Sequence, residues 1–468
     1  MTEENPYSNF CILPFIHLAT TTEGTCRLFC KVSKHDVILK DDGTPFNVNT
    51  DTIEEIWNSN HYSSIRNRVL KNEKLEECKT CFKEEEIYYS EWSAHKKDEL
   101  PSKRRKENQK WLHREKTKIN DSWDNIINNP AIRYFDIRLS NLCNLKCRMC
   151  WPHFSSQISK EQKQFADQGL PTWYNKYEVK EWDTQRLWNG INQNLIKLEE
   201  ISFVGGEPTL HDEIYDLLEK LVETGQSKDI RLKFTTNLTN IQNRMLDYMA
   251  NFKNVIINGS LDGIEETNDY IRFPSDWNTI ESNIDKLLRL RRKKYEKWRT
   301  TSLTLTPVIQ LYNIFNVGDM IRWYVNKWLS IHHKSKNYFL LEMDLLYDPS
   351  FLSVKLLSYQ GKDKWHKEVY VPTIDFLDDI INNINDYDID SRNYWHVLID
   401  LRKRLVNIAQ YMEVLRFNDD GKLEFMIYKS EKPDDALVDK LKKYTHQLDK
   451  HRKQSVYDVI PNFDEILT

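Results

Sequence analysis

The sequence predicts an α/β protein: a partial (βα)6 TIM-like barrel, with a small cysteine-rich domain before it and a helical C-terminal extension after it. Three observations point there. Six strand-like runs alternate with helical stretches between residues 131 and 350, the pattern of parallel βαβ units. Polar residues recur on one face of several of these strands, near their C-terminal ends. All eight cysteines lie at or before Cys150, a distribution that random scatter does not explain.

Of the 468 residues, 40% are apolar and 29% charged, a soluble globular balance in a chain too long for one ordinary core. The expected organisation is a cysteine-rich domain over 1–110, a helical linker over 111–130, the barrel over 131–350 and a helical region over 351–468. A net charge of -4 argues against a nucleic-acid partner. The basic stretch KKDELPSKRRKENQKWLHREKTK (96–118) keeps that partner as the alternative, but its interspersed acids read as a solvated helix face. No run of 18 apolar residues is present, so no transmembrane helix is expected. MTEENPYSNF has neither the basic nor the apolar region of a secretory signal. The expectation is a cytoplasmic protein whose thiols stay reduced, with cysteines that are metal or redox ligands rather than disulfides.

The six strand candidates are IRYFDIRLS (132–140), LEEISFV (198–204), IRLKFTTN (230–237), NVIINGSLD (254–262), SLTLTPVIQ (302–310) and YFLLEMDLL (338–346). EIYDLLEKLVETG (213–225) is an amphipathic helix with a glycine at its C-terminal end. A doubly wound sheet and a barrel share this alternation. Strands buried on both faces read as continuous apolar runs, and these do not. Asp136 and Arg138 share a face, as do Asn258, Ser260 and Asp262, and Glu342 and Asp344. A wet barrel interior accounts for this, and ligands collect at the carboxyl ends of such strands. Asp136, Arg138, Gln310, Glu342 and Asp344 are therefore the candidates for substrate contact or proton transfer. After residue 350, TIDFLDDIINNI and NYWHVLIDLRKRLVNIAQYMEVLR have helical periodicity, and KLKKYTHQLDKHRKQ reads as a charged surface helix.

Directly after the first barrel strand, RLSNLCNLKCRMCW places Cys143, Cys147 and Cys150 at C-x3-C-x2-C spacing. A structural zinc site takes four ligands, so three thiolates leave a position open or borrow a fourth ligand from elsewhere. A four-iron cluster on three cysteines keeps one iron available to an exogenous ligand. The spacing and its place after a first strand resemble the signature of the radical S-adenosylmethionine (radical SAM) enzymes. SFVGGEPTL, after the second strand, resembles that family's GGE motif, which implies that Gly205, Gly206 and Glu207 meet the amino group of SAM's methionine part. By the same resemblance, Asn237 faces the SAM ribose, and Ser260 and Arg272, in GSLDGIEETNDYIR, supply polar contacts. Met149 stands where the family often has an aromatic residue. The Gly-rich adenine motif found in some members after strand five is absent, with PVIQLYN in its place.

The N-terminal cysteines, in CILPFIHLATTTEGTCRLFC and then CKTC, resemble the twitch or SPASM modules that hold auxiliary clusters. Such modules usually follow the barrel; here the likeness precedes it. Five cysteines compete for four positions, and the resemblance assigns Cys11, Cys30, Cys78 and Cys81 rather than Cys26. A zinc knuckle on the same residues is the alternative.

The resemblance implies two 4Fe-4S clusters, one of them auxiliary, with SAM as cofactor and an electron donor such as flavodoxin or ferredoxin. Reductive cleavage of SAM to a 5′-deoxyadenosyl radical would remove a hydrogen from the substrate. The expected substrate is a peptide or protein side chain, undergoing oxidation, cross-linking or epimerisation. The alternatives are dehydrogenation of a sugar or other small metabolite and, from a different class, a non-catalytic zinc-binding interaction protein.

Overall fold

Each of the six strand-like runs forms a strand in the computed structural model, which describes residues 9–28, 37–79, 81–82, 123–174, 186, 189–190, 198–289, 301–332, 338–383, 391–417, 423–425 and 433–467. Two short strands come first, β1 (His17–Thr20) and β2 (Cys26–Arg27). The six follow as β3 (Tyr134–Ile137), β4 (Glu200–Phe203), β5 (Arg231–Thr236), β6 (Asn254–Gly259), β7 (Thr301–Leu305) and β9 (Tyr338–Leu341). The fifth run is interrupted at Pro307, which has no N–H to donate to a ladder, and resumes as β8 (Val308–Ile309). The sixth likewise continues as β10 (Asp344–Leu345), which pairs parallel with β8. The main sheet has eight strands in the order β2-β1-β3-β4-β5-β6-β7-β9. With its parallel pairs and intervening helices, this is the α/β fold expected of a partial barrel.

The chain divides into two compact units. The first comprises Met1–Leu142, Glu178–Phe234 and Asn251–Lys253; the second comprises Cys143–Tyr177, Thr235–Ala250 and Asn254–Thr468.

In the first unit, β1 runs parallel to β3, with His17 opposite Tyr134 and Ala19 opposite Asp136. The Arg138 N–H donates to Thr20 Oγ1 at 2.8 Å, extending that ladder by a side chain. The segment after Cys11 is held from the helix Asn60–Leu70, whose Ser59 cap accepts from the Tyr62 N–H. Arg66 of this helix is buried and donates to the carbonyls of Pro14 (2.9 Å) and Trp57 (3.0 Å). Its guanidinium stacks on the rings of Trp57 and Tyr62. The helix Asp212–Glu223 buries Ile214, Leu217, Leu218 and Leu221 along one stripe, each worth about 1.5–3 kcal/mol. It stops at Gly225, whose φ of +76° ends the turn. A Leu218→Asp substitution would place an unpaired charge in that stripe.

In the second unit, two expectations are corrected. The helix expected to run through residue 416 is Ser391–Tyr411, followed by a hairpin of β11 (Leu415–Phe417) and β12 (Leu423–Phe425). Glu413 takes φ +60°, which a continuing right-handed helix cannot contain. The stretch read as a charged surface helix lies in the helix Asp435–Arg452, which buries Leu441, Tyr444, Thr445, Leu448, Asp449 and Arg452 on one face. Its buried charges have partners, so charge density gave no sign of burial. The basic stretch 96–118 lies outside the described residues. Among the described residues, no helix is long and apolar enough to cross a membrane.

Candidate metal centre

The loop that follows β3 has little regular structure of its own, so outside contacts set its path. The Cys143 N–H donates to Ser156 Oγ (3.3 Å), and the Leu145 carbonyl accepts from Ser155 Oγ (2.6 Å) at the start of the helix Ser156–Asp167. The N–H groups of Lys146 and Arg148 donate to the carbonyls of Phe273 (2.6 Å) and Ile271 (2.9 Å). Held in this way, Cys143, Cys147 and Cys150 pack in one group with Leu145 and Met149. Cys143 and Cys147 are buried, and Cys150 and Met149 half-buried.

Two predicted cofactor residues point at these sulfurs. Arg272 places Nη1 3.8 Å from Cys147 Sγ, and its Nε lies 2.8 Å from Asp262 Oδ2. Asp262 is fully buried, and its Oδ1 accepts from the Val308 N–H at 2.8 Å. Burial opposes the Arg272 charge, while the Asp262 carboxylate favours it and the net pKa is raised. Asn237 Nδ2 lies 3.9 Å from Cys143 Sγ and donates to Asn144 Oδ1 at 2.8 Å. Its carbonyl oxygen accepts from Thr239 N and Oγ1, so both ends of the amide are engaged. Ser260 is half-buried, with its N–H donated to the Thr236 carbonyl at 2.8 Å.

Burial pushes the Cys147 thiol up, against the guanidinium of Arg272. It pushes Cys150 up as well, with Cys147 and Cys143 adding to the effect. Metal coordination takes the thiolate and reverses this preference. Among the described residues, no group of three His, Cys, Asp or Glu side chains is arranged to hold a single metal ion. A four-iron cluster takes one thiolate per iron, so its ligands surround a volume instead of converging on a point. Three grouped thiols with donors at two of their sulfurs fit that requirement.

In the first unit, the GGE turn explains its own composition. Gly205 and Gly206 have φ of +82° and +50°. A Cβ on Gly206 would lie 2.2 Å from the Leu142 carbonyl oxygen, so only glycine fits there. The next N–H, of Glu207, donates to that same carbonyl at 2.7 Å, next in the chain to Cys143. The Glu207 side chain is buried and accepts from Thr209 N and Oγ1. Of the substrate candidates, Asp136 is buried and Arg138 half-buried in this unit. In the second unit, Gln310 is buried, whereas Glu342 and Asp344 are exposed.

Of the N-terminal cysteines, Cys11 and Cys81 are buried, Cys78 is half-buried and Cys30 lies outside the described residues. Cys26 is fully buried in β2, where burial, with Asp51, pushes its thiol up. Sequence reading gave no site role to two residues at the centre. Asp262 sits inside the quoted SLDG motif, which could have flagged it. Arg148, fully buried between Cys147 and Cys150, carried no signal.

A family model described as the radical SAM superfamily matches residues 137–310. These residues are a radical SAM domain. A second model, SPASM, described as an iron-sulfur cluster-binding domain, matches residues 11–82, ahead of the barrel. The radical SAM domain implies a 4Fe-4S cluster and SAM as cofactors, and the SPASM domain an auxiliary iron–sulfur cluster. No curated protein matches the chain. Among solved structures it is similar to Streptococcus suis SuiB bound to S-adenosylmethionine, at 15% identity over 60% of this chain and 65% of that one, with a TM-score of 0.29. It is also similar to the radical SAM methyltransferase TsrM from Kitasatospora setae with cobalamin and a 4Fe-4S cluster bound, at 12% identity over 45% and 34% of the two chains and a TM-score of 0.31. The chain spans slightly less than two thirds of SuiB, at 65%.

Proposed function

We propose that this radical SAM protein is an enzyme of the oxidoreductase type that removes a hydrogen atom from a peptide or protein side chain, leading to oxidation, cross-linking or epimerisation. The observation that carries the reading is the grouping of Cys143, Cys147 and Cys150, with Arg272 donating to one of their sulfurs. When bound, the cluster and SAM supply a 5′-deoxyadenosyl radical after one-electron reduction. Cys143, Cys147 and Cys150 would hold that cluster. Gly205 and Gly206 let backbone come close, and Glu207 is the acceptor for the SAM amino group. Asn237, Ser260 and Arg272 supply polar contacts beside Met149. The Arg272 guanidinium has N–H groups enough to face a sulfur and a carboxylate together.

Cys11, Cys30, Cys78 and Cys81 are the proposed ligands of the auxiliary cluster, which would take an electron from the substrate or bind it. Asp136 Oδ1 and Gln310 Oε1 are buried with no hydrogen-bond partner among the described residues. Since a buried acceptor without a donor is costly, Asp136 is favoured over Arg138 as a substrate contact in the first unit, and Gln310 over Glu342 and Asp344 in the second. We assign the auxiliary module to 1–110, a linker to 111–130, the radical-forming barrel to 131–350 and a helical region to 351–468. A flavodoxin or ferredoxin would deliver the electron, in a cytoplasmic setting where thiols stay reduced. A peptide is favoured because SPASM proteins act often on peptides.

The test is anaerobic reconstitution followed by SAM and dithionite. Wild type forms 5′-deoxyadenosine, and Cys147→Ala does not. Its absence from iron-replete wild type would overturn the reading.

A further inference from the structure

Arg148 is a residue of the cysteine loop for which sequence spacing offers no role, and it is among the largest fully buried side chains described. Its Nη2 donates to Asp449 Oδ1 at 2.6 Å and to Gln454 Oε1 at 3.0 Å, and its Nε donates to the Tyr270 carbonyl at 3.0 Å. The guanidinium lies over the Tyr270 ring, 3.6 Å from its centre. The Arg148 carbonyl accepts from the Tyr444 hydroxyl. Tyr444 and Asp449 both lie on the buried face of the helix Asp435–Arg452. One turn beyond Asp449's neighbour Leu448, Arg452 makes a two-point contact with Glu161, at 3.0 and 2.7 Å. Glu161 in turn lies 3.5 Å from Lys146 of the cysteine loop. Asp449 is fixed from behind, its Oδ2 accepting from the Val456 N–H at 2.7 Å. A loop without regular hydrogen bonding is thus gripped by an element about 300 positions away, through buried charges that tolerate few alternative arrangements.

We propose that Asp449 is a positioning residue for the radical SAM cluster, acting through Arg148 to fix the Cys147–Cys150 turn and to balance the buried cation beside it. The inference rests on the assignment of the cluster to Cys143, Cys147 and Cys150. The helix Asp435–Arg452 is, on this account, the clamp that holds the ligands in place before iron arrives. A buried charge near a cluster also biases its reduction, since a cation favours the added electron and an anion opposes it.

The experiment compares anaerobically reconstituted full-length wild type, Asp449→Asn, Arg148→Met, the double variant and Cys147→Ala. Redox titration follows the EPR signal that SAM perturbs. Asp449→Asn leaves the cation unbalanced and shifts the midpoint up. Arg148→Met leaves the anion and shifts it down. The double variant returns towards wild type, a cancellation that general loosening of the fold does not produce. Tyr444→Phe removes only the hydroxyl on the Arg148 carbonyl; it should release the SAM-responsive cluster to a chelator several-fold faster, with the auxiliary signal unchanged. That variant decides the matter if Asp449→Asn fails to fold. Unshifted midpoints in both single variants, or wild-type chelator resistance in Tyr444→Phe where Asp449→Asn does not fold, overturn the proposal. A SAM-responsive signal that survives in Cys147→Ala defeats the cluster assignment instead.

Discussion

Arg272 stands between an anion and a sulfur: its Nε is 2.8 Å from Asp262 Oδ2 and its Nη1 3.8 Å from Cys147 Sγ. Both residues of the ion pair are buried, so neither charge is relieved by water. Asp262→Asn should therefore destabilise the chain by about 3–5 kcal/mol, the cost of leaving a buried partner uncompensated. Urea denaturation of the cluster-free chain measures it. Arg272→Lys keeps the charge but loses the planar fork. It should lower 5′-deoxyadenosine formation by about tenfold or more, equivalent to about 1.4 kcal/mol or more.

Two glycines with positive φ make a paired test of the GGE turn. Gly206 and Gly225 both have positive φ, +50° and +76°. A Cβ on Gly225 meets nothing within 4 Å, whereas one on Gly206 strikes the Leu142 carbonyl. Gly225→Ala should cost about 1–2 kcal/mol for the left-handed backbone alone. Gly206→Ala adds the collision and moves the backbone beside Cys143. It should lose SAM binding, read as loss of the SAM-induced change in the cluster's EPR signal, while Gly225→Ala keeps it.

What was legible in the sequence was what is local. The six barrel strands announce themselves as short apolar runs alternating with helical stretches, several with polar residues two apart, and the cysteine trio by spacing within eight residues. The GGE turn is legible because positive φ and close approach leave only glycine as an option. What was not legible depends on partners far along the chain. Asp449 and Arg452 read as solvated charges, because nothing near them shows Arg148 or Glu161 waiting to pair. Glu413 looks like a helix former, and only its left-handed backbone ends the helix. Segment His17–Thr20 is too short to distinguish from a loop until Tyr134 and Asp136 are seen opposite it.

Glu161 gives the fold an acid-sensitive contact. Burial alone raises its pKa, but the hydrogen bonds and charge of Arg452, with Lys146 and His451, hold it below the ordinary 4.5. A carboxylate with a depressed folded pKa contributes stability that is fully present above the unfolded value and is lost as pH falls through the folded one. The urea midpoint of the cluster-free chain should thus decline as pH drops below about 4.5. Glu161→Gln should be less stable at neutral pH and show a shallower acid decline. An unchanged slope would mean that Glu161 does not govern it.

The proposed ligand set of the auxiliary cluster is open to test at Cys26 and Cys30. Cys26 sits in β2 opposite Thr20, fully buried, where burial and Asp51 favour its protonated thiol. The proposed ligand set takes Cys30, beyond that strand in the sequence, and leaves Cys26 in place. Cys26→Ser should therefore retain both clusters, with some loss of thermal stability from a polar hydroxyl in an apolar place. Cys30→Ser should lose the auxiliary cluster, lowering iron per chain by about half while the SAM-responsive signal persists. The reverse pattern, with iron lost in Cys26→Ser and kept in Cys30→Ser, would give the ligand role to Cys26 and require β1 and β2 to rearrange around the cluster.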